Sequence, residues 1–135
     1  MDNSYPNFIT VLERAERLEV AANALNAAPD DPAALVAMGS AVMGGEHLVD
    51  DGRQRRAIGF FRKAIEIRPG FAQAHYGICK AYVQIANSPT TQNPELDAEL
   101  AILLKLAPKL GAEIDQYRKT YQGGITVFSS STKPR

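Results

Sequence analysis

The chain has 135 residues, an apolar fraction of 45% and no tryptophan, which bounds it to one domain with a modest core. Its 15 Lys and Arg match its 15 Asp and Glu, and this zero net charge speaks against a nucleic-acid binder and against a polybasic membrane-surface protein. The single cysteine excludes an intrachain disulfide, no apolar run nears the roughly 20 residues of a bilayer span, and residues 1–6 carry neither a basic nor an apolar leader segment, so a cytoplasmic protein is expected.

Residues 1–7 are polar, contain Pro6 and are expected to be loose. From Phe8 to Ala28 the pattern is helical: Leu12, Ala15, Leu18, Ala21, Ala22 and Leu25 share one face, and Glu13, Arg14, Glu16, Arg17 and Glu19 the other. Pro29 stops this helix; Asp30 or Asp31 caps the next, and Pro32 is pre-set for its first turn. The second helix runs to Met43 and ends at Gly44-Gly45. After a polar connection a third spans about Gly52 to Arg68, and past Pro69 a fourth spans Gly70 to Ala86. Asn93-Pro94-Glu95 then supplies a capping side chain, a first-turn proline and an acid near the positive end of the helix dipole. The fifth helix ends at Leu106 or Ala107, Pro108 breaks the pattern, and a sixth covers Lys109 to Gln122. Residues 123–135 read as a flexible tail in which Ile125 to Phe128 is β-prone; it is either loose, folded back, or docked on a neighbour.

The most informative stretch is Ala57 to Tyr82. Ala57, Phe61, Ala64 and Ile65 recur at steps of three and four, as do His75, Ile78, Cys79 and Tyr82, on either side of Pro69. The landmarks Pro29, Pro69 and Pro108 lie 40 and 39 residues apart. Eight before them come Ala21, Phe61 and Leu100; five before come Ala24, Ala64 and Leu103; six after come Leu35, His75 and Ile114. This resembles the tetratricopeptide repeat, in which W-x2-L-G-x2-Y, A-x3-F and P recur about every 34 residues. Leu35, Met38, Gly39 and Val42 stand at the opening slots, with His75, Ile78, Cys79 and Tyr82 one unit later. The chain departs from the pattern in having no tryptophan, Leu96 and Leu103 at small-residue slots, and longer connections between helices.

The resemblance implies an all-α, antiparallel helical-hairpin stack of about six helices over residues 8–122, with two full units between a leading and a closing helix. It also implies a concave groove that binds a protein or peptide segment. By slot, its lining would be Ala33, Val36, Ser40 and Met43, then Gln73, Tyr76, Lys80 and Gln84, then Asp115 and Lys119, with Tyr76 the best anchor. The groove slots hold no asparagine, so the carboxylate clamp of the chaperone-binding members is not assigned.

Chemistry offers less. His75 and Cys79 have a spacing that could hold a metal, but both fall in packing slots and two ligands leave a zinc site half built. His47 lies in a polar loop with Asp50 and Asp51, and the apolar setting of Cys79 should raise its pKa and leave it inert. Gly44-Gly45 lacks the Lys-Ser/Thr of a phosphate loop. No cofactor, metal or catalytic residue is assigned; the reading is a non-enzymatic scaffold or adaptor that binds protein. The first alternative is a self-associating structural subunit, a homo-oligomer; the second is a small enzyme or metal protein using His47, His75 and Cys79.

Overall fold

The computed structural model describes residues 5–44, 51–86 and 93–120. It is all-α, with six helices: α1 (Tyr5–Ala27), α2 (Pro32–Met43), α3 (Asp51–Ile67), α4 (Ala72–Ala86), α5 (Pro94–Leu106) and α6 (Pro108–Thr120). Helix α1 begins earlier than expected, because Pro6 falls in its first turn, where a missing N–H costs nothing. The tail, with Ile125 to Phe128, lies outside the described residues, as does His47.

The helix boundaries follow from local chemistry. The Asp31 carboxylate accepts from the Ala33 N–H at 3.1 Å, and the Asn93 side chain accepts from the Leu96 N–H at 3.1 Å, each one residue ahead of a first-turn proline. Gly44 closes α2 at φ 70°, a left-handed conformation that costs a residue with a Cβ. The two proline turns share one hydrogen-bond pattern. Ala28 N–H donates to Ala24 and Asp31 N–H to Ala28; forty residues on, Arg68 N–H donates to Ala64 and Phe71 N–H to Arg68. The third landmark behaves differently: only Ala107 separates α5 from α6, and Pro108 opens α6 instead of preceding it. Gly111 permits this tight reversal, since a Cβ there would come within 2.5 Å of the Leu104 side chain.

Each helix packs on the next in sequence, and in addition α2 packs on α4 and α4 on α6. Helix α4 therefore divides the interior. Its Ala74, Ile78 and Ala81 join Leu35, Val42 and Met43 of α2 and Ala57, Ile58, Phe61 and Ala64 of α3 in one cluster. Its Cys79 and Val83 join Leu96, Leu100 and Leu103 of α5 and Ile114 of α6 in a second, and Tyr82 touches both.

Phe61 is fully buried between two glycines. A Cβ at Gly39 of α2 would come within 2.6 Å of its ring, and one at Gly77 of α4 within 2.5 Å. The ring thus occupies the space that two side chains have vacated, and it holds α2, α3 and α4 at one spacing. Thirty-nine residues on, the trio Ala57, Phe61 and Ala64 becomes Leu96, Leu100 and Leu103, again all buried. One large residue between two small ones is replaced by three of middle size. The leucines at small-residue slots are thereby accommodated rather than strained.

Two buried polar chains stitch the helices. Gln54 Nε2 of α3 donates to Gln84 Oε1 of α4 at 2.7 Å, and Gln84 Nε2 donates to the Tyr117 hydroxyl of α6 at 3.0 Å. Around His75, Nε2 lies 2.9 Å from the Pro69 carbonyl oxygen and Nδ1 lies 2.8 Å from Glu99 Oε1. Arg62 closes this second chain, 3.5 Å from Glu99 Oε2 and donating to the Tyr82 hydroxyl at 2.9 Å. Buried polar groups are tolerated when every partner is present, and these chains fix which helices lie side by side.

Candidate functional site

The most chemically distinctive surface lies between α4 and α6. Ile114 turns into the second cluster and seats α6 against α4, so that Glu113, Gln116 and Tyr117 of α6 face Tyr76 and Lys80 of α4. These five residues line a cleft of about 320 Å³. The Tyr76 hydroxyl donates to Glu113 Oε1 at 3.1 Å across it, and Lys80 Nζ stands 5.5 Å from the centre of the Tyr117 ring. Tyr117 is held from behind by Gln84. The walls are thus two aromatic rings, one of them anchored from the core, with a cation and an acid at the lip. The Asp97–Arg118 pair at 2.9 Å fastens α6 to α5 at its surface.

The slot-derived residues do not all gather there. Tyr76 and Lys80 line the cleft, and Gln73 is exposed one turn before Tyr76 on the same helix stripe. Gln84 and Met43 are buried, at 2% and 5% exposure, and offer nothing to a partner: Gln84 serves the internal amide chain and Met43 the first cluster. Val36 packs against that same cluster, and Ser40 lines a different groove, between α1 and α2. Asp115 and Lys119 are absent from the cleft wall and pair with each other at 3.2 Å. Glu113, Gln116 and Tyr117 were missed. Their signal was available in the position of Ile114: once it faces inward, the residues flanking it along the helix face α4.

No protein-family model, curated protein or solved structure matches the chain. The side chains themselves therefore carry the functional reading.

Of the three residues in the catalytic or metal-binding alternative, the two that are described, His75 and Cys79, have other work. His75 has both ring nitrogens engaged, one by a carbonyl and one by a carboxylate, so neither is open to a ligand. Cys79 is fully buried, and its thiol is pushed up to about 12, first by burial and then by the nearby negative charge of Glu99. Among the described residues no group of three or more His, Cys, Asp and Glu is placed to hold a metal ion, and no helix is long and apolar enough to cross a membrane.

The Cys79 shift has a measurable consequence. A thiol with pKa 9.0 when exposed and about 12 when folded keeps its proton longer in the folded state. The associated stability is whole below pH 9 and is lost as pH rises toward 12, because there the unfolded chain binds fewer protons. Urea melts of wild type and Cys79→Ala across that range should show a shallower decline for the variant. Parallel declines would mean that the folded thiol ionises normally.

Proposed function

We propose that the chain is a non-enzymatic protein-interaction module that receives a peptide segment in the α4–α6 cleft. The observation that carries the reading is Lys80: it borders an aromatic-walled cleft, and among the described residues no carboxylate lies within ion-pair distance of it. Such a site suits a segment presenting an apolar side chain to Tyr76 and Tyr117 and an acidic group to Lys80. The likeness to the tetratricopeptide pattern in Ala57 to Tyr82 supports it, since in that family the opening helix of each unit lines the binding groove. So does the row formed by α2, α4 and α6, which are the opening helices by that count. A cytoplasmic location belongs to the same proposal.

A random-peptide selection on the full chain tests it. Selected peptides should carry Asp or Glu near an apolar residue, and a Tyr76→Ala, Lys80→Glu double variant should bind them at least about tenfold more weakly, the equivalent of ~1.4 kcal/mol. Unchanged binding by a folded double variant would move the site elsewhere.

A further inference from the structure

The two walls of the α4–α6 cleft carry the same kinds of side chain in opposite order. On α4 the ring comes first and the charge one turn later, Tyr76 then Lys80; on α6 the charge comes first and the ring one turn later, Glu113 then Tyr117. The Tyr76 hydroxyl reaches Glu113, and the Lys80 ammonium stands over the Tyr117 ring. The helices therefore run parallel across the cleft and meet in two rungs, Tyr76 with Glu113 and Lys80 with Tyr117. Each rung joins one aromatic ring to one charge, and the two charges are of opposite sign and lie on the diagonal.

Neither charge is neutralised from within. The close ion pairs among the described residues are Arg62 and His75 with Glu99, Arg118 with Asp97, and Lys119 with Asp115. Lys80 and Glu113 are thus beyond ion-pair distance of each other, and Lys109, one turn before Glu113, does not reach it either. Glu113 spends Oε1 on a neutral hydroxyl, which leaves its charge in place, and the residue is exposed.

The rung at Tyr76 suits a cation, since a carboxylate beside an aromatic ring attracts Lys or Arg both by charge and by the ring quadrupole. The rung at Lys80 suits an anion. One helical turn sets the rungs about 6 Å apart along the helix axes. Side chains two apart in an extended chain project to one face roughly 6.6 Å apart. An extended chain is also slim enough to follow a cleft of about 320 Å³ between two packed helices, where a helix about 10 Å across is not. The aliphatic stem of the base adds to the apolar contact with the rings.

We propose that the cleft takes an extended segment of dipolar character, with Lys or Arg at the Tyr76–Glu113 rung and Asp or Glu two residues away at the Lys80 rung. This rests on the reading of the cleft as a peptide site and adds Glu113 as the residue that selects the second charge. A segment with acids at both positions sets negative charge against Glu113, and one with bases at both sets positive charge against Lys80. The cleft thereby selects a neutral pair of charges in a fixed order along the helices, instead of acidity as such.

Random-peptide selection on the full chain, run in parallel on wild type, Glu113→Lys and Tyr76→Phe, tests the pairing. Peptides taken by wild type should carry Lys or Arg two residues from their Asp or Glu. Replacing that base by Glu should weaken binding at least about fivefold in calorimetric titration. Glu113→Lys should select a second acid in place of the base and restore binding of the Glu-substituted peptide, a gain that also shows the variant is folded. Tyr76→Phe removes the hydroxyl contact and keeps the carboxylate, so the preference for a base should persist. Acidic peptides without an enriched base at that spacing, or an unchanged preference in Glu113→Lys, overturn this inference and leave the Lys80 site standing. Unchanged binding by the Tyr76→Ala, Lys80→Glu variant moves the whole site, and this inference falls with it.

Discussion

Phe61→Ala is expected to be the most destabilising single substitution in the chain, at about 3–5 kcal/mol, seen as a lower urea midpoint with an unchanged slope. The ring is fully buried and contacts three helices, and the two residues flanking it are glycines that have no side chain to close the hole. Partial collapse is what normally moderates such a loss, and here only backbone lies on either side. The same geometry makes a second variant informative. Gly77→Ala would ordinarily gain helix propensity, up to about 1 kcal/mol. Here its methyl would be driven to 2.5 Å from the Phe61 ring, so a net loss of about 1–3 kcal/mol is expected. In a Phe61→Leu background the smaller side chain gives way and Gly77→Ala should cost clearly less. Additive losses would mean that the ring and the glycine do not share one space.

Removing the carboxylate of Glu99 should cost about 3 kcal/mol, the lower end for one partner of a buried pair, because Arg62 on its other side is half exposed and recovers water. The logic is one of donors and acceptors. The Pro69 carbonyl accepts only, so Nε2 of His75 donates to it, and Nδ1 must then either donate to an ionised Glu99 or accept from a protonated one. In both arrangements Glu99→Ala strands Nδ1 in the interior. Replacing both residues by apolar side chains, as in His75→Phe with Glu99→Leu, strands nothing, and this double variant should melt closer to wild type than Glu99→Ala alone. A double variant as unstable as the sum of its single changes would show that the pair acts through packing alone.

How much of this was visible beforehand depended on whether the cause was local. The caps at Asp31 and Asn93, the first-turn prolines and the end of α2 at Gly44 are decided within a few residues, and the helix boundaries came out within a few residues of expectation. The inward positions Phe61, Ile78 and Ile114 follow from periodicity and are buried as expected. Ala15, assigned to the apolar face of α1, is exposed, because the face that α1 buries is narrower than the apolar pattern suggests.

The cleft was read less well, for a geometric reason. Choosing the same slot on successive helices selects residues that point in one direction, whereas a cleft between two helices is walled by the flanks that face each other. Tyr76 and Lys80 are the flank of α4 toward α6; the same slots on α6, Asp115 and Lys119, lie away from the wall that Glu113, Gln116 and Tyr117 provide. Met43 and Gln84 failed differently: each lies late in its helix, where the neighbouring helices close over it. The partnership of His75 with Glu99 joins residues on different helices, and no periodicity within one helix announces it.

The central functional claim is that Lys80 reads an acidic group on a bound segment. The direct measurement is calorimetric titration of wild type and Lys80→Glu with one selected acidic peptide and with its counterpart carrying Lys at the acidic position. Wild type should prefer the acidic peptide and Lys80→Glu the basic one. The same order of preference in both proteins would contradict the account.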